Sequence, residues 1–131
     1  MSRGSGLLDY SEADLVRVRR MTSVRTVEYH AEIDSTNTRA LCLAEDASLA
    51  LPALVLAGLQ TAGRGRGTHR WWSAPGALTF SLILPRSVPE SDSCWPQISL
   101  TAGLGVCNAL QYLRPGLEIG LKWPKDVFVQ S

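Results

Sequence analysis

Five stretches of the chain have the alternation or the β-prone composition that is typical of strands. Residues 26–33 alternate, with Val27, Tyr29 and Ile33 among the side chains on one face. Residues 54–59 form a continuous apolar run, as expected for a buried strand. The predicted strands are residues 26–33, 54–59, 77–84, 117–122 and 127–129.

Three further stretches have the features of helices. Residues 7–21 contain Ser11, a candidate N-cap ahead of acidic residues. The segment 34–37 offers several N-cap candidates for a second helix, and Pro96 opens a third. The apolar positions that recur along these two helices are Ala40, Leu41, Ala44 and Ala47 in the second and Ile98, Ala102, Val106, Ala109 and Leu113 in the third.

Glycine and proline positions refine this picture. Gly103 and Gly105 each cost a helix about 1 kcal/mol, which indicates that this face packs closely against a neighbour. Residues 85–95 are predicted to form a polar loop, and residues 123–126 a tight turn. Lys122 falls on the polar face of the strand before that turn.

Composition favours an ordinary globular domain. The 131 residues are 45% hydrophobic and 19% charged, with a net charge of +1, so bulk electrostatic attraction to nucleic acid or to a membrane is not expected. Cys42, Cys94 and Cys107 are odd in number and lack metal-ligand spacing, which favours reduced thiols. No apolar run approaches membrane-spanning length. We therefore expect a soluble, cytoplasmic protein without a membrane segment.

The segment 60–72 carries the most distinctive chemistry, with the sequence Q-T-A-G-R-G-R-G-T-H-R-W-W. Its glycines let a ligand approach the backbone, and Arg64 and Arg66 supply planar charged groups that match phosphate and carboxylate. The segment lies between two predicted strands, where binding loops are often placed. It is interpreted as an anion-binding loop, and the alternatives are a solvated surface loop or an RNA-binding patch.

Other candidate residues also have structural explanations, which spacing alone favours for the Lys122/Asp126 and Ser35/Thr36 pairs. Lys122 and Asp126 could flank an anionic ligand or form a surface ion pair. Ser35 and Thr36 could bind a ligand or cap a helix. Trp71 and Trp72 could line a ring-binding site or belong to the core. The remaining residues provide no Ser/His/Asp set, no paired carboxylates and no metal cluster.

Four motifs together indicate a family. They are I-D-S-T-N at 33–37, Q-T-A-G-R-G-R-G-T-H-R-W-W-S at 60–73, G-A-L-T-F-S at 76–81 and K-W-P-K-D-V at 122–127. In this order they resemble the catalytic domain of the biotin protein ligases, from about residue 26 onward. The resemblance implies a two-layer α+β fold with a mixed β-sheet, related to class II aminoacyl-tRNA synthetases and lipoate ligases. It also implies an enzyme that uses Mg²⁺ and ATP to convert biotin to biotinoyl-5′-AMP, and then transfers biotin to a lysine of a biotin carboxyl carrier protein.

The resemblance implies a role for each matching residue. Ser35 and Thr36 would bond the ureido ring of biotin, and Arg66 would stabilise charge on the carboxylate and the α-phosphate. Asp126 would help to position the acceptor lysine or the metal, although no residue is assigned as a metal ligand. The implied sets are Ser35, Thr36, Gln60, Gly63, Arg64 and Arg66 for biotin; Arg64, Arg66, Trp71, Lys122 and Asp126 for the adenylate and ATP; and Arg66, Lys122 and Asp126 for catalysis.

The resemblance also sets expected boundaries. Residues 1–25 are expected to be an N-terminal extension, too short for a winged-helix DNA-binding domain, and residues 26–131 a catalytic domain that is truncated at its C-terminus. Family members often form homodimers. The loop glycine Gly67 is displaced by one position from the family pattern, and Lys125 replaces the usual asparagine.

Two alternative functions stay open. The chain could be a truncated or degenerate relative that binds a ligand or partner without turnover, a hypothesis that Lys125 and the expected truncation motivate. It could also be a lipoate or octanoate transferase of the same fold, although the arginine-rich loop and the K-W-P turn argue against this.

Overall fold

A computed structural model describes residues 9–86 and 95–130, which fall into two compact units divided after Arg86. Each unit is described by itself. The first unit contains α1 (Glu12–Met21), β1 (Thr26–Ile33), α2 (Thr36–Ala44), β2 (Ala53–Gln60) and β3 (Thr79–Ile83). The second contains α3 (Trp95–Leu113), β4 (Glu118–Lys122) and β5 (Asp126–Gln130). Every predicted strand and helix is therefore present, whereas residues 87–94 of the predicted polar loop lie outside the described residues.

The sheet of the first unit is mixed. Its strand order is β1-β2-β3, with β1 parallel to β2 and β2 antiparallel to β3. The central strand, β2, supplies most of the buried apolar side chains, including Val55 and Leu56. A strand that is covered on both faces has a continuous apolar sequence, which explains why the apolar run at 54–59 predicts a buried strand.

The two helices of the first unit are held against the sheet by specific contacts. The ring of Tyr10, just before α1, packs edge-on against Tyr29 of β1, with the ring centroids 5.4 Å apart. Ser11 caps α1 through a reciprocal capping box with Asp14, as its sequence indicates. The α2 helix lies against β2 and β3, where Thr36 and Ala40 are buried.

The apolar face predicted for α2 is confirmed at Ala40, which is buried, and is wrong at its other three positions. Leu41 is 64% exposed, Ala44 is exposed, and Ala47 lies beyond the end of the helix. The buried face instead begins at the polar Thr36 and continues through Ala40, because the Thr36 hydroxyl is hydrogen-bonded beneath the helix. Since Leu41 follows Thr36 by five residues, it points well away from the sheet.

The second unit packs α3 against an antiparallel hairpin made of β4 and β5. The side of α3 that is buried within this unit carries Gly103 and Cys107, one turn apart. The apolar positions singled out from spacing lie elsewhere on the helix: Ile98, Ala102, Val106, Ala109 and Leu113 are all exposed in this unit. Small size, rather than hydrophobicity, marks the face of α3 that meets the hairpin.

The two glycines of α3 have different surroundings, although the sequence predicts close packing at both. A Cβ atom on Gly103 would lie 2.8 Å from Cδ1 of Leu121 and 3.4 Å from Cα of Lys125, so close packing is confirmed there. A Cβ atom on Gly105 would meet nothing within 4 Å among the described residues, so the same prediction is wrong for Gly105.

This contrast predicts opposite effects for two alanine substitutions. Gly105→Ala should raise the free energy of unfolding by about 0.5–1 kcal/mol, because alanine restricts the unfolded chain and favours the helix. Gly103→Ala should lower it by about 1–3 kcal/mol, because Leu121 must move to make room. Urea unfolding of both variants measures the difference, and equal stabilities would contradict this packing.

Cys42 and Cys107 are free thiols, whereas Cys94 lies outside the described residues. Within residues 9–86 and 95–130, no helix is long and apolar enough to cross a membrane.

Candidate functional site

Ser35 and Thr36 lie where β1 passes into α2. Ser35 is the N-cap of α2, and its hydroxyl accepts a hydrogen bond from the backbone N–H of Thr38 at 3.3 Å. Both side chains are almost fully buried, with exposed fractions of 1% and 3%. The interpretation of Ser35 as a helix cap is therefore confirmed, and burial makes this cap part of the packed structure.

Gln60 meets Thr36 because β1 and β2 are parallel. Ile33 and Gln60 are register partners at the same end of these strands, so the residues that follow β1 come beside Gln60. The Oε1 atom of Gln60 accepts hydrogen bonds from the backbone N–H of Thr36 at 2.7 Å and from its hydroxyl at 2.9 Å. The Thr36 hydroxyl is also 2.9 Å from the hydroxyl of Ser81 in β3.

These contacts fix the direction of each hydrogen bond. A backbone N–H can only donate, so the oxygen of the Gln60 amide must face Thr36, and the Nε2 group must point away. The single proton of the Thr36 hydroxyl is then used on Gln60, so Ser81 must donate to Thr36. The chain of donation runs from Ser81 through Thr36 to Gln60, which leaves the two N–H groups of Gln60 without an acceptor among the described residues.

Gly63 makes room for the Nε2 group of Gln60. A Cβ atom at this position would lie 2.7 Å from Nε2 of Gln60 and 2.6 Å from the carbonyl oxygen of Trp71. Both distances are shorter than real Cβ atoms show, so only glycine fits without a shift. We use the name amide cluster for Ser35, Thr36, Gln60, Gly63 and Ser81.

The glycine–arginine segment forms a short hairpin, here called the arginine hairpin (residues 63–71). The backbone N–H of Trp71 donates to Gly63 O at 2.9 Å, and that of Gly65 donates to His69 O at 2.8 Å. Gly67, at the tip, has a φ of 59°, a left-handed conformation that favours glycine. The hairpin is thus held by backbone hydrogen bonds, and its glycine-rich composition does not reveal this regular structure.

The side chains of the arginine hairpin face solvent. Arg64 and Arg66 are exposed, and neither side chain forms an ion pair with any described residue. Trp71 is 60% exposed and Trp72 87% exposed, so the alternative that these indoles belong to the core is wrong. Exposed guanidinium and indole groups beside one another are suited to binding an anion that carries a ring.

Lys122 and Asp126 belong to the second unit. They are register partners at the end of the β4–β5 hairpin, so the structure brings them together on either side of the turn. Both are exposed, and the Asp126 carboxylate accepts a hydrogen bond from Nζ of Lys125 at 3.1 Å. The surface ion pair considered as an alternative therefore exists, with Lys125 rather than Lys122 as the cation.

The described residues place seven of the nine predicted site residues in the first unit: Ser35, Thr36, Gln60, Gly63, Arg64, Arg66 and Trp71. Sequence reasoning missed Ser81, although it ends the G-A-L-T-F-S motif. Its place in the predicted strand 77–84, at the end of a motif already singled out, was the signal that could have identified it. Among the described residues, no group of three or more His, Cys, Asp and Glu side chains could hold a metal ion.

Sequence reasoning also missed a charged cluster that ties α2 to β1. The Arg39 guanidinium binds Glu28 through two hydrogen bonds, of 2.6 and 3.0 Å. Nε2 of His30 is 2.6 Å from the same carboxylate. The Arg39 guanidinium, with help from His30, holds the pKa of Glu28 at about 2, below its ordinary value of 4.5. The charged cluster ties β1 to α2, the helix that begins with Ser35 and Thr36 of the amide cluster.

This low pKa predicts acid-sensitive stability. The contribution of a carboxyl with a depressed pKa is fully present above pH 4.5 and is lost as the pH falls toward 2. Allowing for solvent screening, we expect Glu28 to contribute about 1–2 kcal/mol. Urea unfolding of the wild type and Glu28→Gln should show a stability gap at pH 6 that narrows by this amount at pH 2.5. A gap that does not change with pH would contradict the assignment.

Comparisons with known proteins agree with these observations. The model of the biotin/lipoate A/B protein ligase family matches residues 29–131. The biotin–[acetyl-CoA-carboxylase] ligase of Mycobacterium tuberculosis is 33% identical over 109 residues, which cover 82% of this chain and 41% of that protein. The bifunctional ligase/repressor BirA of Bacillus subtilis is 34% identical over 104 residues, 79% of this chain and 31% of that protein. The chain therefore spans about a third to two fifths of the length of these relatives.

Solved structures show the same relationship. The biotin protein ligase from Aquifex aeolicus in complex with biotin and ATP matches with a TM-score of 0.66 and 32% identity, covering 81% of this chain and 42% of that one. The biotin acetyl coenzyme A carboxylase synthetase from Helicobacter pylori with bound biotinylated ATP matches with a TM-score of 0.58 and 26% identity, covering 79% of this chain and 49% of that one. The predicted α+β fold, which these ligases share with class II aminoacyl-tRNA synthetases, is confirmed. This chain belongs to the biotin/lipoate A/B protein ligase family.

Proposed function

We propose that the protein to which this chain belongs activates biotin with Mg²⁺ and ATP and transfers it to a lysine of a biotin carboxyl carrier protein. Family membership supports the ligase class, and the Aquifex aeolicus relative is a complex with biotin and ATP. The observation that carries the proposal is the amide cluster, in which a network of hydrogen bonds aims the N–H groups of Gln60 away from Thr36.

The polarity of the amide cluster favours a urea group over the ring of lipoate. Gln60 can only donate from Nε2, and the carbonyl oxygen of the biotin ureido ring accepts such bonds. The dithiolane ring of lipoate has no carbonyl, so it would leave the Gln60 donors unpaired. Gln60 is half-buried, whereas Ser35 and Thr36 are almost fully buried. A ligand would therefore reach Gln60 first, and direct bonds to Ser35 or Thr36 require displacement of the atoms that cover them.

The arginine hairpin supplies the charge that the first reaction needs. In that step an oxygen of the biotin carboxylate attacks the α-phosphorus of ATP, an acyl-phosphate bond forms, and pyrophosphate leaves with the electrons of the broken P–O bond. We assign Arg64 and Arg66 to bind the carboxylate and the α-phosphate and Arg66 to stabilise the transition state, since neither is neutralised by a described residue. Trp71 offers an exposed indole for the adenylate end.

In the second step the amine of the acceptor lysine attacks the acyl carbon, and AMP leaves. We assign Lys122 to the phosphates and Asp126 to orienting the acceptor lysine or the metal. The Asp126 carboxylate is ion-paired with Lys125, but both side chains are about half exposed or more, so an incoming amine can compete for the carboxylate. Mg²⁺ would enter with ATP, whose phosphates supply most of its ligands.

The remaining assignments extend this proposal. Residues 26–131 are proposed to form part of the catalytic domain and residues 1–25 an extension. In the first unit Tyr10 of that extension packs on β1. The reaction is proposed to take place in the cytoplasm. The carrier domain is the proposed partner.

Exchange of labelled pyrophosphate into ATP tests the proposal. The expected result is exchange that requires biotin and does not occur with lipoic acid. Exchange with lipoic acid alone would indicate a lipoate-activating ligase of the same fold instead. Absence of exchange with biotin would overturn the proposed activation, and calorimetric binding of biotin without exchange would support the non-catalytic relative.

A further inference from the structure

A buried pair of hydroxyl groups closes the loop that joins the arginine hairpin to β3. Ser73 Oγ lies 3.0 Å from Oγ1 of Thr79, and the two residues are only 8% and 5% exposed. Thr79 is the first residue of β3 and the register partner of Ala57, which is fully buried in β2. We use the name hydroxyl pair for Ser73 and Thr79. Their hydrogen bond ties Ser73 to the strand that lies beside the central strand of the sheet.

The segment between the two hydroxyls is a tight turn. The backbone N–H of Ala77 donates to Ala74 O at 3.1 Å. Pro75 and Gly76 occupy the two central positions of the turn, and Gly76 has a φ of 83°. Proline followed by a residue of positive φ is typical of a type II turn. The loop is therefore closed twice, by a backbone hydrogen bond and by the hydroxyl pair around it.

Two exposed indoles lie between this loop and the arginine hairpin. Trp71 is held on one side, because its backbone N–H donates to Gly63 O at 2.9 Å. Trp72 comes directly before Ser73, so it is held on the other side by the hydroxyl pair. The two tryptophans are nevertheless 60% and 87% exposed. A backbone that is anchored at both ends and carries exposed indoles provides a fixed aromatic surface, on which a planar ring can stack.

We propose that Ser73 and Thr79 are positioning residues, whose hydrogen bond holds the backbone of Trp71 and Trp72 in place for stacking against the planar ring of a ligand. A segment that is already ordered does not have to be ordered when the ligand binds, which removes a cost from binding. Tryptophan has few rotatable bonds, so its side chain adds little to that cost. Within the proposed function, on which the identity of the ligand rests, the ring is the adenine of ATP and of biotinoyl-5′-AMP.

Binding of AMP to this chain tests the proposal without biotin. Titration calorimetry should show Ser73→Ala binding AMP about 5- to 20-fold more weakly than the wild type, the scale of loss expected when a backbone residue must be ordered on binding. Inorganic pyrophosphate carries phosphates but no ring, so it should bind this variant within about twofold of the wild type.

Two further variants serve as controls for the loss of a hydroxyl. Thr79→Ser keeps both members of the hydroxyl pair and should bind AMP with the affinity of the wild type. Ser48→Ala removes an exposed serine hydroxyl that donates to Asp46 at 2.7 Å in another loop of the first unit. Its AMP affinity should also match that of the wild type.

The double variant Ser73→Ala/Thr79→Val separates positioning from general stability. Ser73→Ala alone leaves the Thr79 hydroxyl buried without its partner, so its unfolding temperature should fall. Replacing both hydroxyls with apolar groups of similar shape should recover most of that loss. AMP affinity should stay low in the double variant, because the hydrogen bond that holds Ser73 is still absent. A purely structural role would instead let AMP affinity return with stability.

Three results would overturn the proposal: wild-type AMP affinity in the double variant, an equal loss of pyrophosphate affinity in Ser73→Ala, or no AMP binding by the wild type. The positioning role and the proposed function fail separately. A chain whose AMP binding depends on the hydroxyl pair, yet which shows no biotin-dependent pyrophosphate exchange, keeps the positioning role and rejects biotin activation. Exchange together with wild-type AMP affinity in the double variant keeps biotin activation and rejects the positioning role.

Discussion

Replacing Gly63 with alanine is expected to weaken biotin binding by about a hundredfold, the scale of loss that misplacing a binding group by about 1 Å produces. The added Cβ would lie 2.6 Å from the carbonyl oxygen of Trp71 and 2.7 Å from Nε2 of Gln60. The carbonyl is backbone and cannot rotate away, so the arginine hairpin or the Gln60 amide must move. Such overpacking should also lower the free energy of unfolding by about 1–3 kcal/mol.

Gly67 provides the matched control in the same hairpin. Gly67→Asn adds a side chain where a Cβ would meet nothing within 4 Å, and asparagine tolerates the left-handed backbone that this position has. Biotin binding, measured by calorimetry, should change little in this variant. If Gly63→Ala bound biotin as well as Gly67→Asn does, the close approach of Gln60 and Gly63 would have no role in binding.

Changing Gln60 to glutamate is expected to preserve the fold and weaken biotin binding by about 10- to 100-fold. A carboxylate can still accept the two hydrogen bonds from Thr36, so the junction of β1 and α2 stays intact. What it lacks is the pair of N–H donors that the native amide aims away from Thr36. The carbonyl oxygen of a bound urea would then face a carboxylate oxygen, which repels it.

The control for this charge change is Gln111→Glu. Gln111 is an exposed residue of α3, so the substitution alters net charge equally without touching the amide cluster. Its biotin affinity should match that of the wild type. Circular dichroism of both variants should show a native spectrum. Biotin affinity in Gln60→Glu equal to that of the wild type would show that the amide does not donate to the ligand.

The parts of this structure that could be predicted from sequence are those that local chemistry determines. The β1 strand, Thr26–Ile33, follows from strict alternation, and the caps Ser11 and Ser35 follow from short polar side chains ahead of helices. These features depend on residues within one or two turns of each other.

The parts that could not be predicted depend on contacts between distant segments. Apolar spacing places Leu41 on the buried face of α2, but Leu41 is exposed and Thr36 is buried instead. Spacing within one helix cannot show that the Thr36 hydroxyl is hydrogen-bonded to residues of β2 and β3. The pairing of Glu28 with Arg39 joins a strand to a helix, and no local pattern marks it. Gly103 and Gly105 also look alike in the sequence, because only the position of the β4–β5 hairpin shows that Gly103 is closely packed and Gly105 is not.

The most direct test of the central claim, that the amide cluster binds the ureido ring of biotin, is a calorimetric titration of this chain with biotin and, in parallel, with lipoic acid. The account predicts one biotin per chain, lipoic acid at least about tenfold weaker because it leaves the Gln60 donors unpaired, and loss of this preference in Gln60→Glu. Equal affinity for the two acids, or a preference for biotin that persists in Gln60→Glu, would contradict it.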